Sequence, residues 1–396
     1  MDDASTDDTF EVAGAMGARV IRLAERAGPA HARNRGADAA GGDVLLFIDA
    51  DVCVQPDTVE RVARRFAADP RLDALFGCYD DEPAAPDYLS QYRNLMHTFY
   101  HRQAREEAST FWSGCGAIRR ETFAAHGGFD ESRRRPSMED IELGHRMYAA
   151  GRKIRLDRDL RVKHLKRWNL RRMMVTDVVG RGIPWVELIL RDRHLPDDLN
   201  VGWSQRASLL LAWALAAWLV WGVRQEGAGL AAPLASLVFV TLGRYWSEFR
   251  GIPGGLFVGA AAVGLSGVSW LLGWHAAGAA AAVSWVAWLP SNRAPQGPAW
   301  AAAGKTVLAI GGAAVIAVEV AVQAPVFAAG AGALAGAILT LNRSFYSCLK
   351  IRRGAPFAMA AIPFRLLYHL GNGISLAAGT VRFCWARAGA SVRGRG

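Results

Sequence analysis

Asp49-Ala50-Asp51 stands at the end of a continuous apolar run, Val44-Leu45-Leu46-Phe47-Ile48. Two carboxylates one residue apart at the mouth of a strand suit a hard cation that carries phosphates. Such a cation takes one or two protein carboxylates and fills its other positions with phosphate oxygens and water. Open α/β sheets present their ligand sites at the carboxyl ends of strands. The apolar run therefore reads as a strand buried on both faces of a parallel sheet. The triplet alone is equally a solvated turn or a helix cap, and its neighbours must decide.

The elements that would position it alternate in kind over residues 1–160, as in an α/β domain. Strands are expected at Ala18–Leu23, Val44–Ile48 and Leu72–Tyr79, with another starting at Phe111-Trp112-Ser113-Gly114. Helices are expected from Pro29 to Ala40, from Pro56 to Ala68 with Val59, Val62, Ala63 and Phe66 on one face, and from Tyr88 to Arg105. Glu139-Asp140-Ile141-Glu142 opens a further helix.

The two halves of the 396-residue chain differ in charge. Residues 1–200 hold 31 Lys+Arg and 33 Asp+Glu, whereas residues 201–396 hold 15 and 3. The high pI thus comes from an apolar half whose few charges are nearly all basic. That is the pattern of a membrane domain with cytoplasmic basic loops rather than of a nucleic-acid-binding surface. Apolar stretches at 207–223, 228–242, 254–274, 276–290, 306–324 and 325–341 would pair into hairpins. Several fall short of the roughly 20 residues a spanning helix needs. The stretch 357–380, carrying Arg365, His369 and Asn372, is expected as a re-entrant or interfacial element. Segment 151–172 holds ten Lys+Arg, and Asn169–Leu190 mixes basic and apolar residues as an interfacial helix does. A faint repeat relates Leu242–Trp246 to Leu341–Phe345. The five cysteines form no C-x-x-C pair and suggest neither zinc nor a disulfide framework. The acidic start, Met1-Asp2-Asp3, does not read as a signal peptide.

Four further segments accompany the Asp-x-Asp triplet in order. They are Asp2-Asp3-Ala4-Ser5-Thr6-Asp7-Asp8-Thr9, Gly28-Pro29-Ala30-His31-Ala32-Arg33-Asn34-Arg35-Gly36, Gly114–Arg120 running on to Gly127–Glu131, and Glu139–Leu143. Together, over residues 2 to about 168, they resemble the family 2 glycosyltransferases. The resemblance implies an α/β, Rossmann-like GT-A head (1–168), followed by a basic interfacial segment (169–205) and an α-helical transmembrane domain (206–396) of about six spans. It implies a nucleotide-diphosphate sugar donor bound as its Mg²⁺ or Mn²⁺ complex. Asp51 would contact the metal, with Asp49 nearer the ribose and metal shell. Asp3 would meet the nucleobase and Arg33 the nucleotide.

Asp140, beside Glu139, is implied as the general base of an inverting transfer, since such a base must take the acceptor hydroxyl's proton. A helix-capping acid is its plainer reading. His164-Leu165-Lys166-Arg167-Trp168 has the spacing of the Q-x-x-R-W motif of processive synthases, with His in place of Gln. With Glu139, it sets His164, Arg167 and Trp168 in the acceptor or diphosphate region. Family members place a strand, a helix and a second strand before the first motif. This chain begins at the motif, so the head is expected to lack its first strands and the natural start to lie upstream. The expected acceptor is lipid-linked or a cell-envelope glycan, at a multi-pass inner membrane with the head cytoplasmic and no nucleic-acid partner. A processive polysaccharide synthase and a catalytically inactive membrane anchor are the alternatives.

Overall fold

A computed structural model describes residues 1–132, 138–193, 195, 201–226, 273, 315–316 and 318–393. The expected membrane stretches at 228–242, 254–274 (apart from Gly273) and 276–290, most of 306–324, and the first copy of the faint repeat lie outside the described residues.

The chain divides into two compact units. The first comprises Met1–Arg167, Thr176–Gly202 and Ile374–Gly396, and the second Trp168–Val175 and Trp203–Gly373. The first unit is a mixed α/β head. Its elements run α1 (Thr9–Ala15), α2 (Pro29–Ala39), β1 (Val44–Ile48), β2 (Val52–Val54), α3 (Thr58–Ala68), β3 (Ala74–Tyr79), α4 (Tyr88–Gln103), β4 (Cys115–Arg119), α5 (Arg120–Ala125), α6 (Glu139–Ala149) and β5 (Ile154–His164). The five strands form one sheet in the order β1-β4-β3-β5-β2. Only β3 and β5 pair in parallel; β1–β4, β3–β4 and β2–β5 are antiparallel.

The core explains this order. Every residue of β3 is buried, as its central place requires. On one face Leu45, Phe47, Phe76, Ile118, Ile154 and Leu156 pack with Phe123, Phe129, Leu143 and Met147 beneath α2, α5 and α6. On the other, Val52, Leu75, Tyr79, Ala117 and Val162 pack with Val62 and Phe66 of α3.

Several expectations are corrected here. β1 is an edge strand paired antiparallel to β4, with Leu45 and Phe47 buried and Val44, Leu46 and Ile48 partly open. Its apolar run therefore serves one covered face and one half-covered face, not the centre of a parallel sheet. Ala18–Leu23 joins no ladder and makes a single parallel bridge, Arg22 to Asp2. In α3 the buried stripe is Thr58, Val62 and Phe66, an i, i+4, i+8 row, while Val59 is 69% exposed. The strand expected from Phe111 begins at Cys115, because Ser113 and Gly114 turn the chain. The basic segment 151–172 conceals β5, an eleven-residue strand between β3 and β2.

Beyond the head come α7 (Leu170–Val175), a π-helical turn (Thr176–Gly182) and α8 (Ile183–Asp192). The expected helix at Asn169–Leu190 is thus interrupted by a π turn. Arg93 and Asp177 clamp that turn onto α4 through a paired ion bridge, with Nη1 to Oδ2 at 2.8 Å. In the second unit α9 (Trp203–Glu226) is long and apolar enough to cross a membrane. Helices α10 (Pro325–Leu341) and α11 (Arg343–Arg353), bent by 67° at their junction, pass the same test only as a pair. The C-terminal stretch is one continuous helix, α12 (Ala355–Arg393), without a reversal.

Candidate active site

β1 delivers Asp49 and Asp51 into the tight turn between β1 and β2, where the Val52 N–H donates to the Asp49 carbonyl at 3.1 Å. The two carboxylates face different partners. Asp49 Oδ1 accepts from Arg33 Nη2 at 2.6 Å. Asp51 Oδ2 lies 3.8 Å from His164 Nε2 and 3.7 Å from Lys166 Nζ. His164 and then Lys166 hold the Asp51 carboxyl below the usual carboxylate range against its partial burial.

Arg33 comes from α2, which Pro29 opens after Gly28 at φ +99°, a value that favours glycine. Its second nitrogen, Nη1, donates to Glu139 Oε1 at 2.9 Å. One guanidinium thus joins the Asp-x-Asp turn to the first residue of α6, across 106 positions of sequence. Burial alone lowers the affinity of Arg33 for its proton, but Asp49, Asp140 and Glu139 more than reverse that. The neighbouring Asn34 pins α2 to the 127–131 segment, exchanging hydrogen bonds with Phe129 N (3.0 Å) and O (2.9 Å).

Asp140 lies in the first turn of α6, next to the buried Glu139. Its Oδ2 accepts from Ser113 N at 3.1 Å and Ser113 Oγ at 3.2 Å. Burial, then the charge of Glu139, pushes the Asp140 carboxyl up to about 6, while Ser113 and Arg33 oppose the rise. The contact depends on glycine at two places. A Cβ on Gly144 would fall 2.2 Å from Phe111 N, and one on Gly114 would fall 2.2 Å from the Trp112 ring. Only hydrogen fits at either position, and the close packing brings the 111–114 loop onto α6.

His164 ends β5 opposite Val52 and stacks on Tyr79, with ring centroids 4.3 Å apart and planes 19° apart. Tyr79 packs edge-on against Trp112 at 4.9 Å and His97 at 5.9 Å.

The remaining expected residues have partners of their own. Asp3 spends its carboxylate on the N–H groups of Ala27 (2.8 Å) and Gly28 (2.9 Å), where it shapes the entry to α2. Arg167 is largely exposed and pairs with Asp87 at 3.3 Å. Trp168 is buried, at 5% exposure, rather than presented to solvent. Ser113 and Lys166 are site neighbours that sequence reasoning missed. The signal for Lys166 was its place inside the His164–Trp168 motif, and for Ser113 its place directly before Gly114.

Among the described residues no three His, Cys, Asp or Glu side chains gather into a metal nest. A cation that arrives with a diphosphate does not need one, since one or two carboxylates suffice. Asp51, 39% exposed and flanked by His164, offers that donor set, while Asp49 is engaged by Arg33. The residues present fit Mg²⁺ or Mn²⁺ on Asp51.

No curated protein matches the chain. Solved structures similar to it include GalNAc-T7 with UDP, GalNAc and Mn²⁺, 19% identical with a TM-score of 0.34, covering 48% of this chain and 40% of that one. The mannosyltransferase PcManGT from Pyrobaculum calidifontis, in complex with GDP-Man and Mn²⁺, is 18% identical with a TM-score of 0.34, covering 85% and 76%. S. aureus TarS 1-349 is 16% identical with a TM-score of 0.35, covering 74% and 82%. The model of the family described as Glycosyl transferase family 2 matches residues 1–127, the segment that carries Arg33, the Asp49-Ala50-Asp51 turn and Ser113. That segment of the head is a glycosyl transferase family 2 domain.

Proposed function

We propose that the head transfers a sugar, with inversion, from a nucleotide-diphosphate sugar to a membrane-associated acceptor, a lipid-linked or cell-envelope glycan. The observation that carries this reading is the Arg33 bridge, which ties the Asp-x-Asp turn to the Glu139-Asp140 pair. That bridge supports reading Asp49-Ala50-Asp51 as the donor side and Asp140 as the proton acceptor, since displacement at a sugar carbon needs both on one frame.

Asp51, with Asp49 beside it, would hold Mg²⁺ or Mn²⁺, which when bound supplies positive charge to the diphosphate leaving group. Asp140 takes the proton of the acceptor hydroxyl. The acceptor oxygen forms the new bond to the sugar carbon, the bond from that carbon to the phosphate oxygen breaks, and its electron pair leaves with the nucleoside diphosphate. A carboxyl held near 6 is a proton acceptor suited to neutral pH, ionised there yet more basic than an ordinary aspartate. His164 supports Asp51 from its stack on Tyr79. Asp3 and Arg33 shape the nucleotide side, and Arg167 and Trp168 border the acceptor side. The apolar helix α9 supports a membrane location, which we read as multi-pass in the inner membrane with the head on the cytoplasmic face.

The test is a donor-consumption and transfer assay on the full chain with Mg²⁺ or Mn²⁺. Turnover that is lost in both Asp51→Asn and Asp140→Asn supports the reading. Turnover that survives both removes it, and no turnover from the unaltered chain favours a non-catalytic anchor.

A further inference from the structure

We propose that Lys166 is a built-in counter-ion of Asp51 that yields its place to the divalent cation and then turns to the diphosphate of the donor. The inference rests on the metal and donor reading above and assigns a role to a residue that reading leaves unused.

Asp51 Oδ2 has two nitrogen neighbours at almost equal distance, His164 Nε2 at 3.8 Å and the Lys166 ammonium at 3.7 Å. They differ in exposure. The His164 side chain is 6% exposed, set in register opposite Val52 and stacked on Tyr79. Lys166 lies past the end of β5 with its side chain 44% exposed. Its root is nevertheless fixed, because the adjacent Leu165 N–H donates to the Asp51 carbonyl at 2.8 Å. Lys166 is therefore a half-exposed charge whose backbone is anchored beside Asp51, a carboxylate that fits the metal.

Two cations cannot share one carboxylate oxygen without strong repulsion, so a metal that binds Asp51 displaces the ammonium. A half-exposed ion pair is weak, so the ammonium lowers metal affinity only about two- to five-fold and does not bar entry. Once displaced, it remains within a side chain's length of the metal. A nucleoside diphosphate keeps negative charge beyond what one divalent ion neutralises, and a lysine ammonium binds phosphate as a point charge. The same residue thus opposes the metal alone and favours the metal together with the nucleotide.

The experiment is calorimetric titration of the full chain with Mn²⁺ alone, and then with UDP and with GDP at saturating Mn²⁺. The unaltered chain is compared with Lys166→Met, Lys166→Arg and Asp51→Asn. We expect Lys166→Met to bind Mn²⁺ two- to five-fold more tightly and its preferred nucleoside diphosphate three- to ten-fold more weakly, with Lys166→Arg near the unaltered chain in both. Those opposite signs are the signature, since a merely structural lysine would move both affinities the same way or neither. Mn²⁺ binding that depends on Asp51 but is unchanged or weakened in Lys166→Met overturns this proposal while the metal reading stands. Mn²⁺ binding that is absent, or indifferent to Asp51→Asn, overturns both.

Discussion

The imidazole of His164 stands 3.8 Å from the carboxylate of Asp51 because Asp51 directly precedes Val52, the residue that pairs with His164 across neighbouring strands. The stack on Tyr79 fixes the ring plane, so the position of Asp51 is set from beneath by an aromatic layer rather than by its own turn alone. His164→Ala should therefore weaken Mn²⁺ binding and slow transfer by about 10- to 100-fold, the range seen when groups that orient a metal ligand are removed. The measurement is Mn²⁺ affinity beside the transfer rate. An unchanged affinity would mean that His164 serves only the stack.

Transfer should fall on the acid side with an apparent pKa near 6, as Asp140 takes up its proton. Ser113 stabilises the ionised form through its Oγ at 3.2 Å. Ser113→Ala should therefore move the acid limb of the pH–rate profile upward, by about 0.3–0.5 pH. A downward movement would contradict this assignment of the limb.

Asp140→Asn should abolish transfer yet stabilise the head at neutral pH. The carboxyl titrates higher in the folded head, near 6, than its ordinary 3.8, so folding is penalised once pH exceeds that interval and is unpenalised below it. Thermal unfolding of Asp140→Asn should show a gain of up to about 3 kcal/mol at pH 8, since each tenfold change in proton affinity is worth roughly 1.4 kcal/mol. The gain should vanish at pH 3.5.

Arg33→Met should lower stability as well as activity, because it removes the guanidinium that pairs with both Asp49 and the buried Glu139 carboxylate. A loss of about 2–4 kcal/mol in denaturant unfolding is expected, with a smaller loss in Arg33→Lys, which keeps the charge but not the fork. In a double-mutant cycle, Glu139→Gln should recover part of the loss.

Leu210 and Val220 are well exposed on α9. If this helix crosses a bilayer, lysine at either position should oppose insertion by up to about 3 kcal/mol. Carbonate extraction of membranes from cells producing Leu210→Lys/Val220→Lys measures it, with the double variant expected in the soluble or degraded fraction.

Much of the head could be read from its residues in order. Helix α2 announces itself through Gly28-Pro29, α4 through its buried aromatic and aliphatic residues, and α6 through the acids of its first turn. β5 was hidden by its own charges. Ile154, Leu156, Asp157, Leu160, Val162 and His164 are the buried set, but Arg155, Arg158, Arg161 and Lys163 set the segment's average composition. A slip in its pairing with β3, between Phe76 and Cys78, also breaks the simple alternation. The edge position of β1 was illegible because Val44-Leu45-Leu46-Phe47-Ile48 is apolar throughout, whichever neighbours it has. The site's central contact, Arg33 between Asp49 and Glu139, joins residues that no local pattern connects.

The close approach of Phe111 to Gly144 gives a residue with no functional group authority over the chemistry. Adding one methyl there changes no charge and removes no hydrogen-bonding atom, yet it must prise α6 from the loop that ends in Ser113. The proton acceptor would keep its identity and lose its address. A sequence survey that weighs only acids, bases and metal ligands would pass Gly144→Ala as silent, although in effect it resembles a lesion at Asp140 itself.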